Sequence, residues 1–183
     1  MVNLQRVSAR LAQEYGLDAP AMSRYAGLVS EVGELGKGIL LNSEYGKREL
    51  RATKDIMHEI GDVLFSIGLL ANELKLKKEA VHMKKFQHDA SNFARKYGLD
   101  APVMARYVDL VSEVGELGKE LLLGSGYGKE ELKITDDTAK EMGDVVFSLT
   151  MLANELDLDL EECFVVAMEK YKERFEQTGQ IGS

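Results

Sequence analysis

The chain has 183 residues, enough to bury a substantial core, and carries a formal net charge of −8. This acidic balance argues against a protein that binds nucleic acid polymers through their phosphates, because such binding needs clustered lysine and arginine. The single cysteine, Cys163, excludes an internal disulfide and favours a cytoplasmic location. No segment resembles a signal peptide or is apolar for long enough to cross a bilayer, so we expect no membrane contact.

Apolar residues recur at helical spacing along the chain, and no segment alternates for long enough to form a strand. An all-α fold is therefore predicted. Asp18 is a suitable N-cap, with Pro20 in the first turn, for the second helix. The predicted helices cover residues of about 2–15, 19–41, 53–74, 77–97, 101–123, 135–156 and 158–177, with a short helical turn at 47–52.

The sequence repeats itself with an offset of 82 residues (97 − 15, 112 − 30 and 141 − 59). Tyr15–Pro20 returns as Tyr97–Pro102, Ser30–Lys37 as Ser112–Lys119, and Glu59–Asp62 as Glu141–Asp144. One copy is too thin to bury its own apolar face, so the two are expected to pack as a pseudo-twofold tandem-repeat helical bundle. We place the first repeat at 1–82 and the second at 83–178, with a shared helix at about 77–97.

Each repeat carries two acidic pairs, and the members of a pair are three residues apart. Such residues lie on one side of a helix, so two antiparallel helices can bring four carboxylates together. Four carboxylates repel one another unless cations neutralise them, and carboxylate oxygens select hard ions such as Mg²⁺ or Mn²⁺. The predicted metal ligands are Glu31, Glu34, Glu59 and Asp62 in the first repeat, and Glu113, Glu116, Glu141 and Asp144 in the second.

Glycines accompany the acids inside the predicted helices. Each costs about 1 kcal/mol of helix propensity relative to alanine, so a close helix approach or access for a bulky ligand is expected beside them. The glycines are Gly33, Gly36 and Gly61, with their counterparts Gly115, Gly118 and Gly143.

The acidic pairs, their separation and the segments that follow them resemble the signature of the MazG-type all-α nucleoside triphosphate pyrophosphohydrolases, once in each repeat. The segment Lys170–Arg174 also resembles that family. The resemblance implies a MazG-like all-α fold with the four acids of each repeat on metal. It also implies Mg²⁺-dependent hydrolysis of (deoxy)nucleoside triphosphates to monophosphate and pyrophosphate, in the service of nucleotide-pool sanitation.

One acid of each quartet would orient or deprotonate the attacking water. The candidates are Glu34 or Glu59 in the first repeat and Glu116 or Glu141 in the second, and the sequence does not choose between them. Nothing in the sequence matches a phosphate-binding P-loop, so the acids and their metal ions would carry the chemistry.

Further residues are candidates for substrate binding, although solvated lysines, a packed capping loop and helix-end hydrogen bonds would explain most of them equally well. They are Lys37, Lys119, Tyr45, Lys47, Tyr127, Lys129, Asn72, Asn154, Lys170 and Arg174. At the positions equivalent to Lys170 and Arg174, the first repeat has His88 and Asn92. The first site is therefore expected to be the weaker one, unless each site borrows residues from the other repeat.

Two other classes of protein fit less well. A non-catalytic helical repeat or interaction module that binds metal or nucleotide would let its acids drift between the copies, and they do not. A diiron carboxylate protein normally needs a Glu-x-x-His motif, which neither acidic pair offers. The expected partners are a nucleoside triphosphate substrate and a second copy of the chain, which would form a homodimer through the apolar Val165, Met168 and Phe175.

Overall fold

A computed structural model describes residues 3–76 and 83–179, and this part of the chain holds seven α-helices and no strand. The helices are α1 (Leu4–Glu14), α2 (Ala21–Asn42), α3 (Lys54–Glu73), α4 (Met83–Tyr97), α5 (Val103–Gly124), α6 (Asp136–Glu155) and α7 (Leu160–Thr178). The all-α prediction is confirmed. The helix predicted at 77–97 begins with residues 77–82, which lie outside the described residues. Its described part, α4, begins at Met83.

Side-chain caps set most of the helix starts. Thr53 accepts the backbone N–H of Ile56 at the start of α3, and Asp159 accepts two N–H groups at the start of α7. Two local predictions are wrong. Pro20 occupies the N-cap position of α2, so Asp18 lies outside the helix and does not cap it. Residues 47–52 form no helix, because the chain leaves α2 through a series of turns at 43–47.

The two repeats build equivalent three-helix units. In the first, α3 packs against α1 and α2, and in the second, α6 packs against α4 and α5. The units meet where α2 contacts α5, and one apolar core runs through both. None of the helices in the described residues is long and apolar enough to cross a membrane.

A reciprocal pair of tyrosines joins the two units. The hydroxyl of Tyr25 donates to the carbonyl of Val114 (2.9 Å), and that of Tyr107 donates to the carbonyl of Val32 (3.1 Å). Shifting the residue numbers by the repeat offset of 82 converts one contact into the other, as a pseudo-twofold axis requires.

Two of the helical glycines make this contact possible. A Cβ atom at Gly36 would lie 2.0 Å from the hydroxyl oxygen of Tyr107, and one at Gly118 would lie 2.1 Å from that of Tyr25. The close helix approach expected from the sequence therefore occurs at these positions.

Among the described residues, the seventh helix has no counterpart in the pseudo-symmetric arrangement. By sequence α7 ends the second repeat, yet it packs along α3 of the first. A Cβ atom at Gly61 would lie 2.2 Å from the carbonyl oxygen of Cys163 and 2.6 Å from Cβ of Ala167, so only glycine admits this helix. At Gly143, the counterpart in α6, a Cβ atom would meet nothing within 4 Å.

α4 packs on α6, in the way that α1 packs on α3, and it also touches α7. The repeat boundaries at 1–82 and 83–178, with a shared helix at about 77–97, stay a prediction. Closure of the first repeat comes from α7, whose buried side chains Phe164, Ala167 and Tyr171 join the common core.

The apolar residues expected to form a homodimer are mostly used within the chain. The ring of Phe175 lies 4.3 Å from that of Tyr15, between centroids, and Met168 packs against the core. Val165 remains 40% exposed. The homodimer therefore stays a prediction, and Phe175 and Met168 no longer support it because they pack within the chain.

The Gly61→Ala substitution should destabilise the protein, by about 1–3 kcal/mol, because the added methyl group pushes α7 away from α3. Gly143→Ala is the matched control and should stabilise the protein by up to about 1 kcal/mol, because its methyl group meets open space in a helix. Urea unfolding followed by circular dichroism measures both. Equal effects of the two substitutions would contradict the docking of α7 at Gly61.

Candidate metal and substrate site

Four carboxylates of the first repeat converge between α2 and α3, and we call this group the first site. Ligand oxygens of Glu31, Glu34 and Glu59 all lie within 4.8 Å of one another. Asp62, one turn beyond Glu59, is only 3% exposed. Asp62 Oδ1 and Glu59 Oε2 are buried and have no hydrogen-bond partner in the described part of the chain. The spacing of the acidic pairs therefore predicted their convergence correctly.

Burial and mutual repulsion make the ionised form of these carboxylates unfavourable unless a cation is bound. Burial raises the pKa of Glu31 to about 7, with further contributions from Asp62 and Glu34, while Lys170 opposes the shift. The pKa of Glu59 is raised in the same way, first by burial and then by Asp62. Unpaired buried oxygens next to carboxylates with raised pKa values are typical of a place where a cation binds.

The cationic part of the first site comes from α7. Lys170 Nζ forms an ion pair with Asp62 Oδ2, and Arg174 lies one turn further along in the wall of the same cavity. The buried ring of Tyr171 packs on Phe65, with 5.0 Å between centroids. The first site thus takes its lysine and arginine from the second repeat, which is the alternative in which a site borrows residues from the other repeat.

The acids and cations line one end of a cavity of about 220 Å³. Its other end is lined by the apolar side chains of Leu17, Phe65 and Leu69, together with Ser66 and Arg24. Arg24 is held in place by donating through Nη2 to the carbonyl of Leu17. Helical spacing placed Ser66, Phe65 and Leu69 beside the acids, but Leu17 and Arg24 come from other elements and form no motif that could be recognised.

The equivalent acids of the second repeat form what we call the second site. Ligand oxygens of Glu113, Glu141 and Asp144 lie within 4.8 Å of one another, while Glu116 is exposed. Burial raises the pKa of Glu113, and Asp144 raises it further. In the described part of the chain no helix covers this site as α7 covers the first. Its cavity is accordingly wider, at about 420 Å³.

The other predicted contacts lie away from both cavities. Lys37, Lys119, Tyr45, Lys47, Tyr127 and Lys129 are all exposed and line neither cavity. The amide of Asn72 donates to the carbonyl of Gln5 (2.7 Å), and that of Asn154 donates to the carbonyl of Gln87 (3.0 Å). These two amides hold α3 to α1 and α6 to α4, so their observed contacts are helix packing.

The raised pKa of Glu31 predicts how the stability of the metal-free protein changes with pH. A carboxyl with a raised pKa in the folded state binds its proton more tightly there. Its contribution is full below its unfolded pKa of about 4.5 and is lost as the pH rises through about 7. The free energy of unfolding should therefore fall between about pH 4.5 and 7 and level off above this range, with Glu31 accounting for about 1–2 kcal/mol after solvent screening.

Urea unfolding in the presence of EDTA, across that pH range, measures this. Glu31→Gln should remove its share of the decline. Glu173→Gln, which removes the same charge from an exposed position on α7, should leave the decline in place. Parallel curves for the unsubstituted protein and Glu31→Gln would contradict the prediction.

Comparison with known proteins identifies the family of the chain. A family model described as the MazG nucleotide pyrophosphohydrolase domain matches residues 106–178, from α5 to α7. The "Uncharacterized protein YpjD" of Bacillus subtilis (strain 168) is 35% identical over 97 residues, which cover 50% of this chain and 85% of that protein. No solved structure gives a significant match. The chain therefore belongs to the MazG nucleotide pyrophosphohydrolase family.

Proposed function

We propose that this chain hydrolyses nucleoside triphosphates to nucleoside monophosphate and pyrophosphate, at the first site and with a divalent metal ion. The observation that carries the proposal is one cavity in which the acids of α2 and α3 face Lys170 and Arg174 of α7. Acids for metal and cations for phosphate are what a polyphosphate substrate requires. Membership of the family supports nucleotide pyrophosphohydrolase activity in general.

The residues of the first site fit a divalent ion. All candidate ligands are carboxylate oxygens, which favours Mg²⁺ or Mn²⁺ over softer metals. The unpaired buried oxygens of Asp62 and Glu59 offer ligand positions that no other group in the described chain satisfies. When bound there, such an ion would lower the pKa of a coordinated water and neutralise charge on the phosphates.

The remaining work falls to side chains in the cavity wall. Glu34 is exposed and lines the cavity, whereas Glu59 is half-buried and does not line it, so Glu34 is the carboxylate able to accept a proton from water near the substrate. Lys170 and Arg174 hold the phosphate oxygens and stabilise the departing pyrophosphate. In the metal-free protein Lys170 instead stays paired with Asp62.

We place the activity at the first site alone. The second site keeps its acids, but among the described residues no helix covers it and its cavity wall lacks the lysine and arginine of α7. Removal of nucleotides from the cellular pool, as in sanitation, is the role that such an activity would serve.

The decisive experiment incubates the protein with the eight common ribo- and deoxyribonucleoside triphosphates and Mg²⁺. Pyrophosphate and orthophosphate are then measured separately. We expect pyrophosphate together with the monophosphate, and no product when EDTA replaces the metal. Release of orthophosphate alone, or no turnover with Mg²⁺ or Mn²⁺, would contradict the proposal.

Matched substitutions test the choice of site. Glu34→Gln should lower kcat by roughly 100-fold or more, because it removes the general base next to the metal. Glu116→Gln makes the same change at the second site and should keep kcat within about twofold, since only changes at the working site alter the rate. Steady-state kinetics with the best substrate measure both. Equal losses would show that both sites work.

A further inference from the structure

Four polar residues of each cavity recur in the other, but the residue one helical turn after the arginine differs between the repeats. An arginine, the acids and a serine recur in both, as Arg24 and Arg106 or Ser66 and Ser148. Between the arginine and the first acid, on the same face of the helix, the first repeat has Gly27 and the second has Asp109. The acid motif that follows this position is identical in the two repeats.

In the second repeat the carboxylate bridges two helices. Asp109 Oδ2, on α5, accepts a hydrogen bond of 2.7 Å from the hydroxyl of Ser148 on α6. Ser148 is only 2% exposed, so its hydroxyl is not accessible to a ligand. The space between the arginine and the acids is filled by this pair.

In the first repeat the same space is open. A Cβ atom at Gly27 would meet no atom within 4 Å. Ser66 is partly exposed in the cavity wall, and no residue of the described chain hydrogen-bonds to its hydroxyl.

We propose that Gly27 admits the nucleoside of the substrate to the apolar end of the first cavity, where Ser66 meets one of its polar groups, and that Asp109 excludes a nucleotide from the second. This inference rests on the proposed function, since it concerns the nucleoside of the same triphosphate. Once the phosphates lie against the metal and Lys170, the nucleoside extends along the cavity and passes over Gly27.

The charges of the two cavities agree with this assignment. In the first, Arg24, Lys170 and Arg174 face Glu31, Glu34 and Asp62. In the second, Arg106 is the one basic residue of the described cavity wall, against Asp100, Asp109, Glu113 and Asp144. Asp109 therefore both fills the nucleoside position and adds to the repulsion of an anionic substrate.

The test uses Gly27→Asn, which adds the shape of the aspartate without its charge. Calorimetry measures the binding, with Mg²⁺, of two probes: an α,β-imido analogue of the best substrate, which resists cleavage, and inorganic tripolyphosphate. Gly27→Asn should weaken binding of the analogue by at least about tenfold and change that of tripolyphosphate by less than about threefold, because only the nucleoside passes the substituted position. Asp109→Asn is the matched control and should alter neither.

Each result decides between the alternatives. If Gly27→Asn binds the analogue as tightly as the unsubstituted protein, or weakens both probes equally, Gly27 does not face the nucleoside and the inference is wrong, while hydrolysis by the unsubstituted protein still stands. If the unsubstituted protein neither hydrolyses nucleotides nor binds the analogue, the proposed function is wrong and the inference falls with it.

Discussion

The packing of α7 on α3, centred on the ion pair of Lys170 with Asp62, is the contact on which the rest of this structure depends. Asp62 is almost completely buried among three other carboxylates, and a buried carboxylate without a counter-charge strongly destabilises a folded protein. α7 supplies that counter-charge and encloses the cavity in the same step. It also leaves the equivalent face of α6 without such a helix in the described structure, so one contact sets the character of both sites.

The scaffold is symmetric while the sites are not. The reciprocal bonds of Tyr25 and Tyr107 hold the two units in equivalent positions, and each unit gathers acids between its two central helices. Two departures from the symmetry are the place of α7 and the exchange of Gly27 for Asp109. The burial of the acids differs with them, since Asp62 is buried while Asp144 is exposed. Nearly identical metal-ligand motifs can therefore lie in cavities of very different charge.

The sequence predicted what depends on local periodicity and failed where distant segments meet. Helix positions and the convergence of the acidic pairs follow from spacing along single helices, so both could be predicted from the sequence. The partner of α7 could not, because apolar spacing marks the buried face of a helix but not the helix that covers it. Gly61 was the available signal, since an interior glycine indicates close contact, yet Gly143 has the same sequence context and faces open space.

The first site joins residues that lie 108 positions apart, Asp62 and Lys170, and come from different repeats. Two separate copies of a single repeat could build such a site only by associating, and their pairing would weaken on dilution. On one chain the two parts meet at a fixed effective concentration, whatever the amount of protein in solution. Fusion of the repeats thus makes assembly of the site a folding event, and it releases one copy from having to supply a complete site of its own.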